Sequence, residues 1–181
     1  MDFNFTPEQK ALVELARQIA REKVAPRSAE IDRTAEYPYD LFEVFKEAGL
    51  LGIAVPEEYG GAGMGTTGLV LAVEEMAKVD CSAGLMLLLT RLPLGPIMFG
   101  GTEEQKRRYA SAVASGAMRG SFCLSEPDAG SDAAGIKTRA VKKGDVYVLN
   151  GTKNWISGAE VADFYTVAVK TDPEAGARGV S

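Results

Sequence analysis

The chain has 181 residues, of which 46% are hydrophobic and 25% charged, and its formal net charge is −5 at pH 7. This length and composition allow a buried core, whereas the acidic balance lacks the concentrated basic face that nucleic-acid phosphates require. The chain has two cysteines without metal-binding spacing and no histidine, which excludes a zinc site of these residues. The absence of histidine also excludes any Ser-His or Cys-His mechanism.

The first part of the chain has the periodicity of amphipathic helices. Thr6-Pro7-Glu8-Gln9 is a capping box with proline at the first helical position, and apolar residues then recur on one face. This pattern predicts a helix that ends before Pro26. A second amphipathic helix is predicted after Pro38, and Gly49 is placed to end it.

A glycine-rich loop at residues 60–65 precedes a third predicted helix at about residues 68–79. The spacing of its apolar residues predicts a buried stripe of Leu69, Val70, Val73 and Met76.

The apolar run at residues 83–99 is interrupted in its second half by Arg91, Pro93, Gly95 and Pro96. It is also shorter than the roughly 20 apolar residues that a membrane span needs. The run therefore predicts a buried helix that breaks near Pro93, with no membrane span. Thr102-Glu103-Glu104-Gln105 repeats the capping-box pattern and predicts a last helix that Gly116 ends.

Beyond Arg119 the pattern changes to short segments rich in β-branched and aromatic residues. These predict strands at residues 121–125, 136–142, 146–150, 153–156 and 164–170, with a hairpin turn at Lys143-Gly144-Asp145. The predicted fold class is α+β. An N-terminal all-α helical domain, residues 1–117, is followed by an antiparallel β domain, residues 118–181.

Two segments at the ends of neighbouring predicted strands suit a flat heteroaromatic ligand. Residues 122–132 offer an aromatic ring, hydroxyls and a turn of small residues, and residues 150–157 offer Trp155 and another hydroxyl. A flavin ring is apolar on both faces and carries acceptors along one edge, so its site pairs aromatic stacking with hydroxyl or backbone donors. A single tryptophan is more often a core residue, and a Gly-Ser-Asp turn is usually only a turn. The combination of these features favours a flavin.

With these motifs the sequence resembles the acyl-CoA dehydrogenase family of flavoenzymes. Ser125 to Asp132 match its Thr/Ser-Glu-Pro-x-Ala-Gly-Ser-Asp signature, and Lys153 to Ser157 match its Lys-x-Trp-Ile-Thr/Ser segment. Pro56 to Gly61 and Gly101 to Lys106 extend the resemblance over the whole chain. In that family a longer antiparallel domain and a second helical bundle follow. The resemblance therefore implies an incomplete β domain and the N-terminal part of a longer enzyme.

The resemblance implies FAD as the cofactor and no metal. Leu124 would lie against the ring, the Ser125 hydroxyl would bond its polar edge, and Ser157 would lie near N5. Ser131 would also bind substrate, through the pantetheine arm of the CoA thioester. The implied cofactor-binding residues are Phe122, Cys123, Leu124, Ser125, Glu126, Pro127, Ala129, Gly130, Ser131, Trp155, Ile156 and Ser157.

The implied reaction is α,β-dehydrogenation of an acyl-CoA thioester, in which a carboxylate removes the α-proton and the β-hydrogen leaves as hydride to flavin N5. The family's carboxylate lies in its C-terminal helical domain, so no catalytic residue is assigned in this chain. Glu126 precedes a proline at a strand end and is expected to serve the turn instead. Arg91 departs from the family pattern, and either lines the acyl pocket or extends to solvent.

The implied partners are the acyl-CoA substrate and an electron-transferring flavoprotein as acceptor, and the implied assembly is a homodimer or homotetramer. The sparse thiols favour a reducing compartment, the cytoplasm of a prokaryote or the mitochondrial matrix of a eukaryote. Two alternatives stay open. One is an acyl-CoA oxidase or a nitroalkane-type oxidase of the same superfamily. The other is a catalytically inactive helical fragment that binds neither flavin nor thioester, since the chain alone is expected to be inactive.

Overall fold

The structure, a computed structural model, describes residues 4–181, so the first three residues of the predicted helical domain lie outside it. Two compact units follow one another along the chain. The helical unit ends at Gly120, and the β unit is Ser121–Ser181. The predicted α+β fold class, with a helical part before a small β part, is therefore confirmed.

Seven α-helices form the helical unit within the described residues. The two predicted capping boxes are present, because the Thr6 and Thr102 hydroxyls accept the backbone N–H of the glutamine three residues later and the glutamine side chain bonds back to the cap. The helices are α1 (Pro7–Ile19), α2 (Ala25–Thr34), α3 (Tyr39–Glu47), α4 (Gly65–Ala77), α5 (Cys81–Leu88), α6 (Leu94–Gly100) and α7 (Glu103–Ala114), with a π-helical turn at Ala20–Val24 and 3₁₀ turns at Leu50–Gly52 and Glu57–Tyr59.

The prediction that the first helix ends before Pro26 is wrong. The π-helical turn joins α1 to α2, and the proline falls in the first turn of α2. The fixed φ of proline is compatible with a helix, and the π-helical turn ends just before it, with the Ala25 N–H bonded to the Ala20 carbonyl. Ala20 and Val24 are fully buried in this turn, so core packing supports the continuous helical path.

The prediction of the second helix is confirmed at its end, whereas that of the third helix is wrong in part. α3 ends as predicted, with Gly49 in the left-handed region at φ +72°. α4 begins earlier than predicted, and Val70 is 55% exposed, so its place in the buried stripe is wrong. Leu69 and Met76 are buried as predicted, Val73 is half-buried, and Ala72 is also buried on this face.

The hydrophobic core of the helical unit lies between α1, α3, α4 and α5 and includes the fully buried Phe45 and Leu87. The acid Glu75 is also buried, and Arg17 of α1 satisfies it with bonds of 3.0 and 3.2 Å to its two carboxylate oxygens. The apolar run breaks near Pro93 as predicted, between α5 and α6. Among residues 4–181, no helix is both long and apolar enough to cross a bilayer.

The β unit contains two small sheets. β1 (Gly120–Cys123) pairs with β4 (Phe164–Val167), and β2 (Arg139–Lys143) pairs with β3 (Val146–Asn150) in an antiparallel hairpin. Lys143 lies opposite Val146, and Gly144 in the loop has φ +61°. The predicted hairpin is confirmed, because glycine at the first loop position suits the twist of a two-residue turn.

The predicted strand at residues 153–156 is absent, and this segment is irregular. Trp155 has φ +59°, a left-handed conformation that a strand cannot contain. Gly151, just before this segment, packs so closely against Thr138 that an added Cβ would lie 2.2 Å from the threonine Oγ1 and 2.6 Å from its Cα. Long-range packing and a backbone turn, rather than sheet pairing, therefore direct the chain after β3.

Candidate functional site

The two sequence motifs lie side by side in the β unit. The backbone N–H of Asn154 donates to the carbonyl oxygen of Ser125 at 2.9 Å. The Lys153 ammonium donates to the carbonyl oxygen of Leu124, also at 2.9 Å. These bonds join the segment after β1 directly to the residues that precede Trp155.

A further bond joins the same two segments at their other ends. The Ser121 hydroxyl, which is fully buried in β1, donates to the carbonyl oxygen of Ser157 at 2.8 Å. The chain from Lys153 to Ser157 is therefore fixed to β1 and its extension on both sides of Trp155, although it is not a strand.

Trp155 is 91% exposed, so it is not a core residue of the β unit. Its left-handed backbone is rare for a bulky side chain and is destabilising. An exposed aromatic ring on a strained backbone contributes little to folding. Such outliers cluster at binding sites, where the surrounding structure holds them in place.

The Glu126 carboxylate is engaged within the protein. It accepts the backbone N–H groups of Lys137 and Thr138 at 2.6 and 3.0 Å and the Lys153 ammonium at 2.8 Å. Burial raises its pKa, but the hydrogen bonds from these donors outweigh that effect and lower the pKa to about 2. Glu126 therefore remains an anion that anchors the turn, and both of its oxygens are occupied, which does not suit a general base.

The turn after Glu126 is closed by reciprocal backbone bonds with Ala129, at 2.8 and 3.2 Å. Pro127, Gly130 and Ser131 lie exposed on this turn. Among residues 4–181, no hydrogen bond connects Gly130 or Ser131 to the Trp155 segment. The structure thus brings together the beginning of the first motif and the second motif, and leaves the end of the first motif on the surface.

The remaining predicted residues lie in or next to β1 and after Trp155. Phe122, Leu124 and Ile156 are half-buried, and Cys123 is buried. Burial raises the pKa of the Cys123 thiol, which makes it a packing residue and a poor nucleophile.

Two hydroxyls of these bonded segments are free to bond a ligand. Ser125 is half-buried and Ser157 is exposed. Within residues 4–181, neither side chain makes a hydrogen bond to the protein. A flavin needs an aromatic surface beside its ring and donors along its polar edge. The uncovered indole and these hydroxyls fit both requirements.

Sequence reasoning missed two residues of this region, Ser121 and Lys153. Lys153 appeared only as part of a motif, and Ser121 was assigned no role. The Lys153 side chain is only 11% exposed. Its neighbours in the sequence, Thr152 and Asn154, are polar, so no local pattern marks this lysine as buried, although a buried ammonium requires partners.

Arg91, where the sequence left two interpretations open, lies in the helical unit. It lines a cavity of about 80 Å³ together with Val55, Leu94, Met98 and Ala110. The side chain is half-buried and borders an otherwise apolar space. The geometry therefore gives Arg91 a cavity-lining position within its own unit.

Comparison with known proteins gives consistent results over both units. The model of the acyl-CoA dehydrogenase N-terminal domain matches residues 6–117, and that of the acyl-CoA dehydrogenase middle domain matches residues 121–181. A probable acyl-CoA dehydrogenase of Bacillus subtilis, YngJ, is 43% identical over 172 residues, which cover 94% of this chain and 45% of the relative.

Solved structures agree. A chain from a study of the electron transferring flavoprotein of Acidaminococcus fermentans and flavin-based electron bifurcation has a TM-score of 0.93 and 42% identity, covering 100% of this chain and 48% of that one. The butyryl-CoA dehydrogenase of Megasphaera elsdenii has a TM-score of 0.89 and 37% identity, covering 97% and 47%. The chain thus spans about half the length of the relatives that it matches. On both sequence and fold, the chain belongs to the acyl-CoA dehydrogenase family.

Proposed function

We propose that this chain is the N-terminal portion of an FAD-dependent acyl-CoA dehydrogenase and that its β unit forms one side of the flavin site. Family membership supports the reaction class. The observation that carries the site is Trp155, which is 91% exposed and directly follows Asn154, whose backbone N–H bonds the carbonyl oxygen of Ser125. The domain assignment follows the sequence, with residues 1–117 helical and residues 118–181 the first part of the β domain.

The residues around Trp155 would hold the cofactor through complementary contacts. Trp155, Leu124 and Phe122 would supply apolar surface to the ring, and the hydroxyls of Ser125 and Ser157 would donate hydrogen bonds to its polar edge. When bound, FAD would supply the hydride acceptor that α,β-dehydrogenation requires. These side chains therefore orient the ring and exclude water from it, and they move no proton.

The substrate would be an acyl-CoA thioester, as the name of the butyryl-CoA dehydrogenase indicates for that relative. Ser131, on its exposed turn, would contact the pantetheine arm of the thioester. The general base would come from polypeptide outside these 181 residues. We further propose an electron-transferring flavoprotein as the acceptor, a homo-oligomeric assembly and a cytoplasmic location in a prokaryote.

FAD titration of the 181-residue chain tests the site. Trp155 is the sole tryptophan, so its emission reports on the site directly. We expect FAD to quench this emission, and Ser125→Ala to weaken binding about three- to tenfold, the usual range for one hydrogen bond. Ser82→Ala, which removes an exposed hydroxyl of α5, is the matched control. Equal affinities for the two variants would remove Ser125 from the site.

The reaction is tested on the complete enzyme. Anaerobic addition of butyryl-CoA should bleach the absorbance at about 450 nm that is characteristic of the oxidised flavin. A colourless protein that is indifferent to butyryl-CoA would contradict the proposed function. Peroxide release during turnover in air would favour the oxidase alternative.

A further inference from the structure

The left-handed backbone of Trp155 is not explained by packing of its own side chain. Among residues 4–181, the non-glycine residues with positive φ are Ala35 and Trp155. Ala35 ends α2, where a left-handed residue is common and its N–H bonds the helix at Ile31. Trp155 ends no helix, and a ring that is 91% exposed gains little from packing. Contacts of the neighbouring residues must therefore hold this conformation.

On the N-terminal side, Lys153 provides such a contact. Its ammonium donates to the Leu124 carbonyl at 2.9 Å and to Glu126 Oε1 at 2.8 Å. The two charged side chains are 11% and 5% exposed, so this ion pair is largely shielded from water. The backbone bond from Asn154 to Ser125 follows directly, and together these bonds fix the chain just before the tryptophan.

On the C-terminal side, Ser121 provides the contact. Its hydroxyl has no exposed surface and donates to the Ser157 carbonyl at 2.8 Å. The carbonyl of Ile156 accepts the N–H of Ala159 at 3.3 Å, which closes the turn after the tryptophan. The strained residue is thus held from both sides by bonds that its neighbours make.

We propose that Lys153 and Ser121 are positioning residues, which hold Trp155 in its left-handed conformation and so present the indole to a flat ligand. The identity of that ligand as flavin rests on the proposed function. A ring that is already fixed loses less freedom on binding, so these two residues raise affinity without contacting the ligand.

The first test needs no ligand. Time-resolved fluorescence anisotropy and near-UV circular dichroism of the sole tryptophan report how firmly the indole is held. We expect faster indole motion and a weaker tryptophan dichroism band in Ser121→Ala and in Lys153→Met, with recovery in Lys153→Arg. Lys137→Met is the matched control, because its ammonium pairs with Asp128 and both side chains are exposed. Unchanged indole motion in both variants would overturn the proposal.

Folding is separated from positioning by a second variant. Lys153→Met leaves the buried Glu126 charge without its ammonium partner, which strongly destabilises the β unit. The double variant Lys153→Met/Glu126→Gln removes both charges, and its amide oxygen can still accept one of the two backbone N–H groups, of Lys137 or of Thr138, that now bond to separate carboxylate oxygens. We expect it to retain protected amides in β1 and β4 and yet to show the mobile indole.

The second test adds FAD to the same proteins. We expect the dissociation constant to rise about tenfold in Ser121→Ala, while amide protection in β1 and β4 is unchanged. If the wild-type chain binds FAD and the variants bind it with the same affinity, the role in ligand binding is refuted. Absence of FAD binding by the wild-type chain would count against the proposed function, and the anisotropy measurement would still decide the positioning role.

Discussion

Replacing Trp155 by glycine should stabilise the β unit relative to replacing it by alanine. Glycine normally destabilises an ordered position by about 0.5–1 kcal/mol relative to alanine, because it frees the unfolded chain. At φ +59° the order should reverse, since a Cβ is strained there and glycine has none.

The expected magnitude follows from the exposure and the backbone. A fully buried tryptophan covers about 150–250 Å², and with 91% of Trp155 exposed only about 20 Å² is lost, or about 0.5 kcal/mol at roughly 25 cal/mol per Å². Both variants lose this amount. Relief of the left-handed strain is worth about 1–2 kcal/mol, and the glycine entropy cost offsets about half of it. Trp155→Gly should therefore exceed Trp155→Ala in stability by about 0.5–1 kcal/mol.

Native-state hydrogen exchange of the β1 and β4 amides is the suitable assay, because it reports on the β unit without interference from the helices. Thr152 supplies the matched control, since it is exposed, irregular and without positive φ. There the glycine variant should be the less stable one. Ala35→Gly, at φ +55° in the helical unit, should show the same reversed order as position 155.

A glycine variant at position 155 that is less stable than the alanine variant, by the same amount as at position 152, would refute the reasoning. It would mean that the left-handed backbone at Trp155 is not strained, and that the flanking bonds of Lys153 and Ser121 have no strain to hold.

Three other predictions concern the β unit and the two thiols of the chain. The pKa of Glu126 is about 2 in the folded chain against an ordinary 4.5, so its contribution to stability is complete above pH 4.5 and is lost as the pH falls toward 2. This contribution should amount to roughly 2 kcal/mol after screening, and Glu126→Gln should remove the pH dependence from the amide exchange. Gly151→Ala should lower the free energy of unfolding in urea by more than about 2 kcal/mol, because the added Cβ meets the side chain and backbone of Thr138. Gly130→Ala, whose Cβ meets open space, should lower it by less than about 0.5 kcal/mol, and equal losses would contradict the close approach at Gly151. Iodoacetamide at mildly alkaline pH should label the exposed Cys81 well before the buried Cys123, whose thiol has a raised pKa, and simultaneous labelling would contradict this burial.

Local sequence determined the elements whose signals lie within a few residues. Thr6 and Thr102 specify helix starts because the capping bonds span only three residues. Gly144 specifies the hairpin because two residues set the turn. The two motifs also predicted one shared site, and the structure places their residues within hydrogen-bonding distance, through Asn154 and Ser125.

Tertiary structure decided the features that depend on residues far apart in the chain. Burial of Ala20 and Val24 carries the helix past Pro26, which a local breaker signal does not reveal. The β propensity of residues 153–156 is likewise overridden, because their backbone bonds to the end of β1 and not to a neighbouring strand.

The clearest case is Trp155, whose residue type the sequence supplied and whose conformation it did not. An indole is compatible with a core position or with a binding surface, and no neighbour in the sequence distinguishes the two. Contacts across about 30 residues, from Lys153 to Leu124 and from Ser121 to Ser157, fix its backbone in the left-handed region and leave the ring exposed. Sequence therefore determined which chemical groups this protein has for a ligand, and only the folded chain determined how they are presented, because that depends on bonds between segments that folding brings together.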